Sequence, residues 1–286
     1  MSVGLGSLSV AVEGLDHPEG VTVTADGRLY AGGEGGQVYL ADIEKATVEQ
    51  VAGTDGFLLG LCADGGGLLY CCDVGRRAVL RVDPGSGVVE VYSDGTHHRK
   101  MVNPNWPVFD AEGNLYVTDS GAWKADDGCI YRVTPEGRTE VWSEASTNFP
   151  NGACLSLDSS ALLVLESCTP ALVRIPIQED GTAGKREEIA LLPGTVPDGV
   201  SLDTNGNAYV CCYRPDRILR VSPTGSVELL ADDPEGTLLS APTNGVWVGD
   251  DSSIFITGNL GRWHLTRCEW GAKGVPLHYP KLARKE

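Results

Sequence analysis

At 286 residues, 42% of them hydrophobic, the chain is long enough to bury a large core, and its 37 glycines and 16 prolines suit short strands and turns rather than long helices. Acidic residues outnumber basic ones 39 to 22, and the formal charge of −17 repels polyanions, which argues against nucleic acid and anionic membrane as partners. No basic leader with an apolar run and no membrane-length apolar segment occurs, so a cytoplasmic location is expected, with the partner a small-molecule substrate.

Along the chain, Ser9 to Gly14 (SVAVEG) alternates like a strand and is followed at Pro18 by PEGVTVTADGRLYAGG. Period-2 alternation there predicts strands at Gly20 to Thr24, Arg28 to Ala31, Gln37 to Ala41 and Thr47 to Ala52, with turns at Asp26-Gly27 and Gly35-Gly36. The same phrase returns as LLGLCADGGGLLYCCD from Leu58, PNWPVFDAEGNLYVTDS from Pro104, PNGACLSLDSSALLVLES from Pro150, PDGVSLDTNGNAYVCC from Pro197 and PTNGVWVGDDSSIFITG from Pro242. Aligned on Gly20, Gly60, Trp106, Gly152, Gly199 and about Asn244, the steps are 40, 46, 46, 47 and 45 residues, the spacing of propeller blades. Six repeats predict one all-β domain over residues 1–286, a six-bladed β-propeller of four-stranded antiparallel blades.

After the sixth inner strand only Ser253 to Thr257 and Trp263 to Trp270 read as strands, so the N-terminal strand is expected to complete the last blade and remove the open sheet edges. Residues 271–286 read as a C-terminal tail. The nine cysteines lack metal-ligand spacing, and Cys71-Cys72 and Cys211-Cys212 fall at similar places in their repeats, as small apolar strand residues kept reduced.

In a propeller the first strand of each blade lies nearest the central channel, so the residue just before it stands at one mouth of that channel. Those positions hold Glu19, Leu59, Asn105, Asn151 and Asp198, with Thr243 or Asn244 in the last blade depending on whether the proline or the glycine fixes the register. Two carboxylates converging on one point repel unless a cation neutralises them. Carboxylate and amide oxygens without histidine or cysteine favour a hard divalent ion, Ca²⁺ first, with Mg²⁺, Mn²⁺ or Zn²⁺ as alternatives. The competing reading is that Asn and Asp merely cap turns. Four such residues at one blade position favour the metal.

HPEG with Glu19, FPNG with Asn151, PDGVSLDTNGNAYV with Asp198 and PNWPVFDAEGNLYVTD with Asn105 resemble the senescence marker protein/gluconolactonase family of six-bladed propellers over nearly the whole chain. The resemblance implies that Glu19, Asn151 and Asp198 bind one divalent metal, that Asn105 contacts metal or substrate, and that the reaction is lactone hydrolysis with Asp198 the leading candidate for general base. Trp106 stands where the family usually carries an acidic residue, and Asn103 where it often carries an arginine that contacts a sugar acid. An indole at the mouth offers an apolar wall to a bulkier or less hydroxylated substrate; the alternative is that Trp106 packs into the core.

Asn244 and His17 complete the candidate set, His17 as a neighbour of the ring beside Pro18-Glu19. Gly121 to Gly128 (GAWKADDG), carrying Trp123, reads as a lid or a solvated loop, and the basic cluster His97, His98, Arg99 and Lys100 as a contact for a substrate carboxylate or a solvated group. Neither a G-x-S-x-G elbow nor a P-loop occurs, which argues against serine hydrolases and nucleotide enzymes. Rival readings are another channel enzyme (phosphotriesterase, dehydratase or strictosidine-synthase-like) and a non-catalytic ligand-binding propeller.

Overall fold

Each repeat folds as one four-stranded antiparallel sheet, and six such sheets form the blades of a propeller in the computed structural model, which describes residues 4–282. The inner strands of blades 1 to 6 are Val21–Val23, Leu58–Ala63, Pro104–Phe109, Pro150–Leu155, Val196–Leu202 and Pro242–Val248. Blade 1 continues through Leu29–Gly32, Gln37–Asp42 and Thr47–Gly53, within two residues of the bounds expected from alternation. Among the described residues, one short 3-10 turn at Leu5–Ser7 is the only helical element, and no helix is long and apolar enough to cross a membrane.

The N-terminal strand Leu8–Glu13 pairs antiparallel with His264–Cys268, from Leu8 opposite Cys268 to Glu13 opposite His264, as the outermost strand of blade 6. The first and last parts of the chain thus share one sheet, which closes the circle by hydrogen bonds and covers the edge of His264–Cys268.

The core lies between adjacent sheets. Tyr30, Tyr70, Tyr116 and Tyr209 on the second strands are at most 1% exposed, so the repeat places a large ring at each of these seams. Tyr70 finds a partner for its hydroxyl in Asp64 Oδ2 at 3.1 Å, as a buried phenol requires. All nine cysteines are free thiols; Cys71, Cys72, Cys211 and Cys212 are fully buried, and that burial pushes their thiols up, which leaves them inert apolar packing groups.

The segment read as a tail is pinned across the end of the channel remote from the ring, as far as Leu282. Gly274 N–H donates to Ser252 O at 2.8 Å, Val275 N–H to Leu202 O at 3.1 Å, and Tyr279 Oη to Val23 O at 2.9 Å. His278 Nε2 meets Ser159 Oγ at 3.1 Å, Gly65 N–H donates to Pro280 O at 2.8 Å, and Leu282 packs on the cluster that holds Phe109 and Leu115. These contacts touch all six blades in turn, so this strap is a second clasp on the circle. Residues 283–286 lie outside the described residues.

Candidate functional site

The ladder between the inner and second strands slips at the same place in blades 2 to 6: between Leu58 and Leu61, Pro104 and Trp106, Pro150 and Ala153, Pro197 and Val200, and Pro242 and Gly245. A bulge turns a side chain out of the pleat, and here it re-aims the residue after the proline, or after Leu58 in blade 2, toward the channel axis. These residues are Leu59, Asn105, Asn151, Asp198 and Thr243; in blade 1 the equivalent is Glu19, whose N–H donates to Gly32 O at 3.0 Å. Pro242 faces Asn259 as Pro150 faces Glu166, so the proline sets the register of blade 6. Thr243 takes the ring position and Asn244 lies one step deeper, level with Gly20, Gly60, Trp106, Gly152 and Gly199.

Glycine is required at that deeper level because neighbouring inner strands meet backbone to backbone. A Cβ at Gly20, Gly60, Gly152 or Gly199 would stand 2.0, 2.7, 2.3 or 2.3 Å from the carbonyl oxygen of Leu59, Asn105, Asp198 or Thr243 on the next blade. At the two junctions without glycine a threonine hydroxyl spans the gap: Thr118 Oγ1 donates to Asn151 O at 2.8 Å, and Thr243 Oγ1 to Glu19 O at 2.7 Å. There the blades admit the side chains of Trp106 and Asn244.

Each asparagine is oriented through its nitrogen. Asn105 Nδ2 donates to Ser120 Oγ at 3.1 Å and Asn151 Nδ2 to Ser167 Oγ at 3.2 Å, while those serines donate to Pro150 O and Pro197 O of the following blades. Asn244 Nδ2 donates to Glu19 Oε2 at 3.2 Å. With the nitrogens tied, the Oδ1 atoms of Asn105, Asn151 and Asn244 and Oδ1 of Asp198 are buried with no hydrogen-bond partner among the described residues. A buried acceptor left unmatched costs about 1–3 kcal/mol, so four in one place point to a missing positive partner.

Glu19 and Asp198 are only 3% and 7% exposed. Burial, reinforced by the charge of Asp198, pushes the Glu19 carboxyl well above its usual range, and burial pushes Asp198 up to about 7 against the opposing hydrogen bond of Asn151. No group of three or more His, Cys, Asp or Glu able to hold a metal occurs among the described residues; this donor set holds only two carboxylates, and its remaining oxygens are amides. Five oxygens from Glu19, Asn105, Asn151, Asp198 and Asn244, with nitrogen and sulfur absent, fit a hard cation of the Ca²⁺ type.

The remaining candidates fall in three places. Asn103 sits just ahead of the ring, its N–H held by Asp119 Oδ1 at 2.8 Å and its own Oδ1 buried without a hydrogen-bond partner among the described residues. Trp106, 7% exposed, packs with Ala153 and also lines a cavity of about 650 Å³ in the channel below the ring, bounded at its far end by Val275 to Tyr279. His17 and Trp123 belong to the rim: His17 is tilted on Trp263 at 5.5 Å and bonded to Asp16 at 2.9 Å, and the half-exposed Trp123 meets Phe149 edge-on at 4.9 Å. Arg99 pairs with Glu144 and with the Asp127 carbonyl of the 121–128 loop, and Lys100 with Asp94, so these two cations are engaged by the protein.

Sequence reasoning missed Ser120, Ser167 and Thr118. The signal was present, because a serine directly follows the acidic residue that ends the second strand in both asparagine blades, as Asp119-Ser120 and Glu166-Ser167, whereas Asp73 in the leucine blade is followed by Val74.

Residues 18–258 match a family model described as SMP-30/Gluconolactonase/LRE-like region. Among curated relatives, a gluconolactonase of Zymomonas mobilis is 28% identical over 74% of this chain and 57% of its own, and lactonase drp35 of Staphylococcus haemolyticus is 29% identical over 54% and 50%. The chain spans about half the length of these relatives. In fold it is similar to a gluconolactonase from Xanthomonas campestris (TM-score 0.78, 19% identity, 92% of this chain and 89% of that one) and to a calcium-binding regucalcin from Agrobacterium tumefaciens (0.76, 15%, 96% and 97%). The six-bladed propeller and the match over residues 18–258 together place this chain in the SMP-30/gluconolactonase/LRE-like family.

Proposed function

We propose that the protein is a divalent-cation-dependent hydrolase that opens a lactone or related cyclic ester at the ring-side mouth of its channel. The observation that carries this reading is the set of buried oxygens of Asn105, Asn151, Asp198 and Asn244 that have no hydrogen-bond partner among the described residues and surround the mouth with Glu19. These residues would hold one ion, Ca²⁺ before Mg²⁺, Mn²⁺ or Zn²⁺. When bound, the ion supplies positive charge that offsets the two carboxylates and polarises an ester carbonyl.

The residues divide the remaining work. Glu19, gripped by Asn244 and the less exposed carboxylate, serves as a ligand. Asp198 is the more exposed of the two and is the candidate to take a proton from water at a carboxylate oxygen and return it to the ring-opened alkoxide. Phe149 and His17 each stand two residues ahead of a ring ligand and, with Trp123 and Trp263, supply aromatic walls at the rim. The named lactonases among the relatives support the reaction class.

The test is hydrolysis of a panel of lactones, from sugar-derived to aromatic, by purified protein before and after chelation and with Ca²⁺ restored. Turnover that chelation abolishes and Ca²⁺ restores is the expected result. Failure on the whole panel overturns lactone hydrolysis, whereas turnover indifferent to chelation overturns the metal requirement alone.

A further inference from the structure

At the level just below the ring, four of the six positions are glycine, and the two side chains present are Asn244 and Trp106. Asn244 turns up to Glu19. Trp106 starts on blade 3, passes Ala153 of blade 4, and ends with its Cζ3 only 2.8 Å from where a Cβ of Gly199 on blade 5 would stand. In a six-membered circle the line from one blade to the second blade on runs inside the blade between them. The indole therefore lies within the channel, under the arc of Asn105, Asn151 and Asp198.

Its placement is built rather than incidental. The backbone N–H of Trp106 donates to Thr118 Oγ1 at 3.0 Å, the same hydroxyl that donates to Asn151 O at the blade 3 to blade 4 junction. Gly199 is what gives the far edge of the indole room. Beneath the indole lies the cavity of about 650 Å³, large enough to hold many waters, which Trp106 lines and Asn105, Asn151 and Asp198 do not.

We propose that Trp106 is the floor of the cation site: its indole shields the lower side of the ion from the water-accessible channel, so that every coordination position the protein leaves open faces the mouth. Ca²⁺ takes about six to eight oxygens, and with five from the protein roughly one to three remain for water or substrate. A floor confines them to the side from which a substrate arrives, and makes Trp106 a positioning residue that acts through the ion. This inference rests on the cation site proposed above but not on lactone chemistry.

The test uses Tb³⁺ as a luminescent stand-in for Ca²⁺, which needs no substrate. Excitation of tryptophan should give sensitised Tb³⁺ emission that Ca²⁺ competes away, and Trp106→Phe should remove most of that emission while direct excitation shows the ion still bound. Emission lifetimes in H₂O and D₂O count bound waters: Trp106→Gly should add about one water to the wild-type count, since a coordination shell of this size fills whatever position is uncovered. Trp106→Leu, which keeps bulk against Ala153 but is too short to reach Gly199, should add water in the same way if the glycine variant does not fold. Tb³⁺ bound with an unchanged water count in both small variants, or with full sensitised emission in Trp106→Phe, overturns the floor. No competitive Tb³⁺ binding by wild type overturns the cation site itself, and the floor with it.

Discussion

Asn244 and Glu19, 225 residues apart in the chain, are joined by a hydrogen bond of 3.2 Å from Nδ2 to Oε2. It crosses the junction of the last blade with the first, where Thr243 Oγ1 also donates to Glu19 O. The same contact that seals the circle orients the Asn244 oxygen and one of the two ring carboxylates. Closure of the fold and assembly of the site are one event, and the consequences can be measured.

The ion-free protein should lose stability as pH rises. Both ring carboxylates are raised by burial, Asp198 from the ordinary 3.8 to about 7, so between those values the unfolded chain releases protons that the folded chain retains. Folded stability therefore falls as pH rises through that window. Saturating Ca²⁺ should abolish the fall, because the ion takes the place of the protons. Melting scans from pH 4 to 8 in chelator and in Ca²⁺ test this; parallel profiles would contradict it.

Asp198→Asn keeps shape and one oxygen donor but removes charge and base, so turnover should fall by about a hundredfold or more even at saturating ion. Glu19→Gln should weaken the ion comparably yet recover more activity when ion is in excess. Equal recovery by the two variants would remove Asp198 from the proton-transfer role.

Ser120→Ala and Ser167→Ala should each lower ion affinity about ten- to a hundredfold, the usual effect of releasing a ligand from the group that orients it. Neither serine is itself a proposed ligand, so folding at saturating ion should survive. Calcium titration by calorimetry distinguishes this from an affinity change of less than twofold, which would mean that the amides hold their direction without help.

Deleting residues 1–14 removes the strand Leu8–Glu13 and bares the edge of His264–Cys268, so it should abolish cooperative unfolding or lower the melting temperature more than any C-terminal cut. Deleting 277–286 removes the contacts of His278, Tyr279 and Pro280 and should also lower it, by less, because no sheet edge is exposed. Equal losses from the two truncations would assign the strap and the strand the same part in closure.

An ion pair with one buried member gives a check outside the ring. Glu166 is fully buried and bound by Arg186 and Ser146. Arg186→Met leaves that buried carboxylate without its cation and should cost about 1–3 kcal/mol, the range for a buried polar group that loses its partner. Chemical denaturation that finds under 1 kcal/mol would show that water reaches Glu166.

Much was legible in the chain because the repeat is local. The period of about 46 residues, the alternation within each strand and the proline before five of the six ring positions follow from propensities that act over a few residues, and they carried the blade count, the N-terminal closure, and Glu19, Asn105, Asn151 and Asp198 as one set. What the sequence left open depended on contacts between blades. Whether Thr243 or Asn244 belonged to the ring turned on the pairing of Pro242 with Asn259; which way each amide faced turned on Ser120 and Ser167, which lie 15 and 16 residues from their asparagines and donate in turn to the next blade. Trp106 could wall a mouth or fill a core until the position of Gly199, two blades away, fixed its path beneath the ring. The strap over residues 271–282 looked like a tail because its hydrogen bonds follow no period and go to five different blades, with Leu282 packing on the sixth. Local pattern determines which element forms; the direction of a side chain at a seam is decided by the neighbour it meets, and that neighbour is named only when the circle closes.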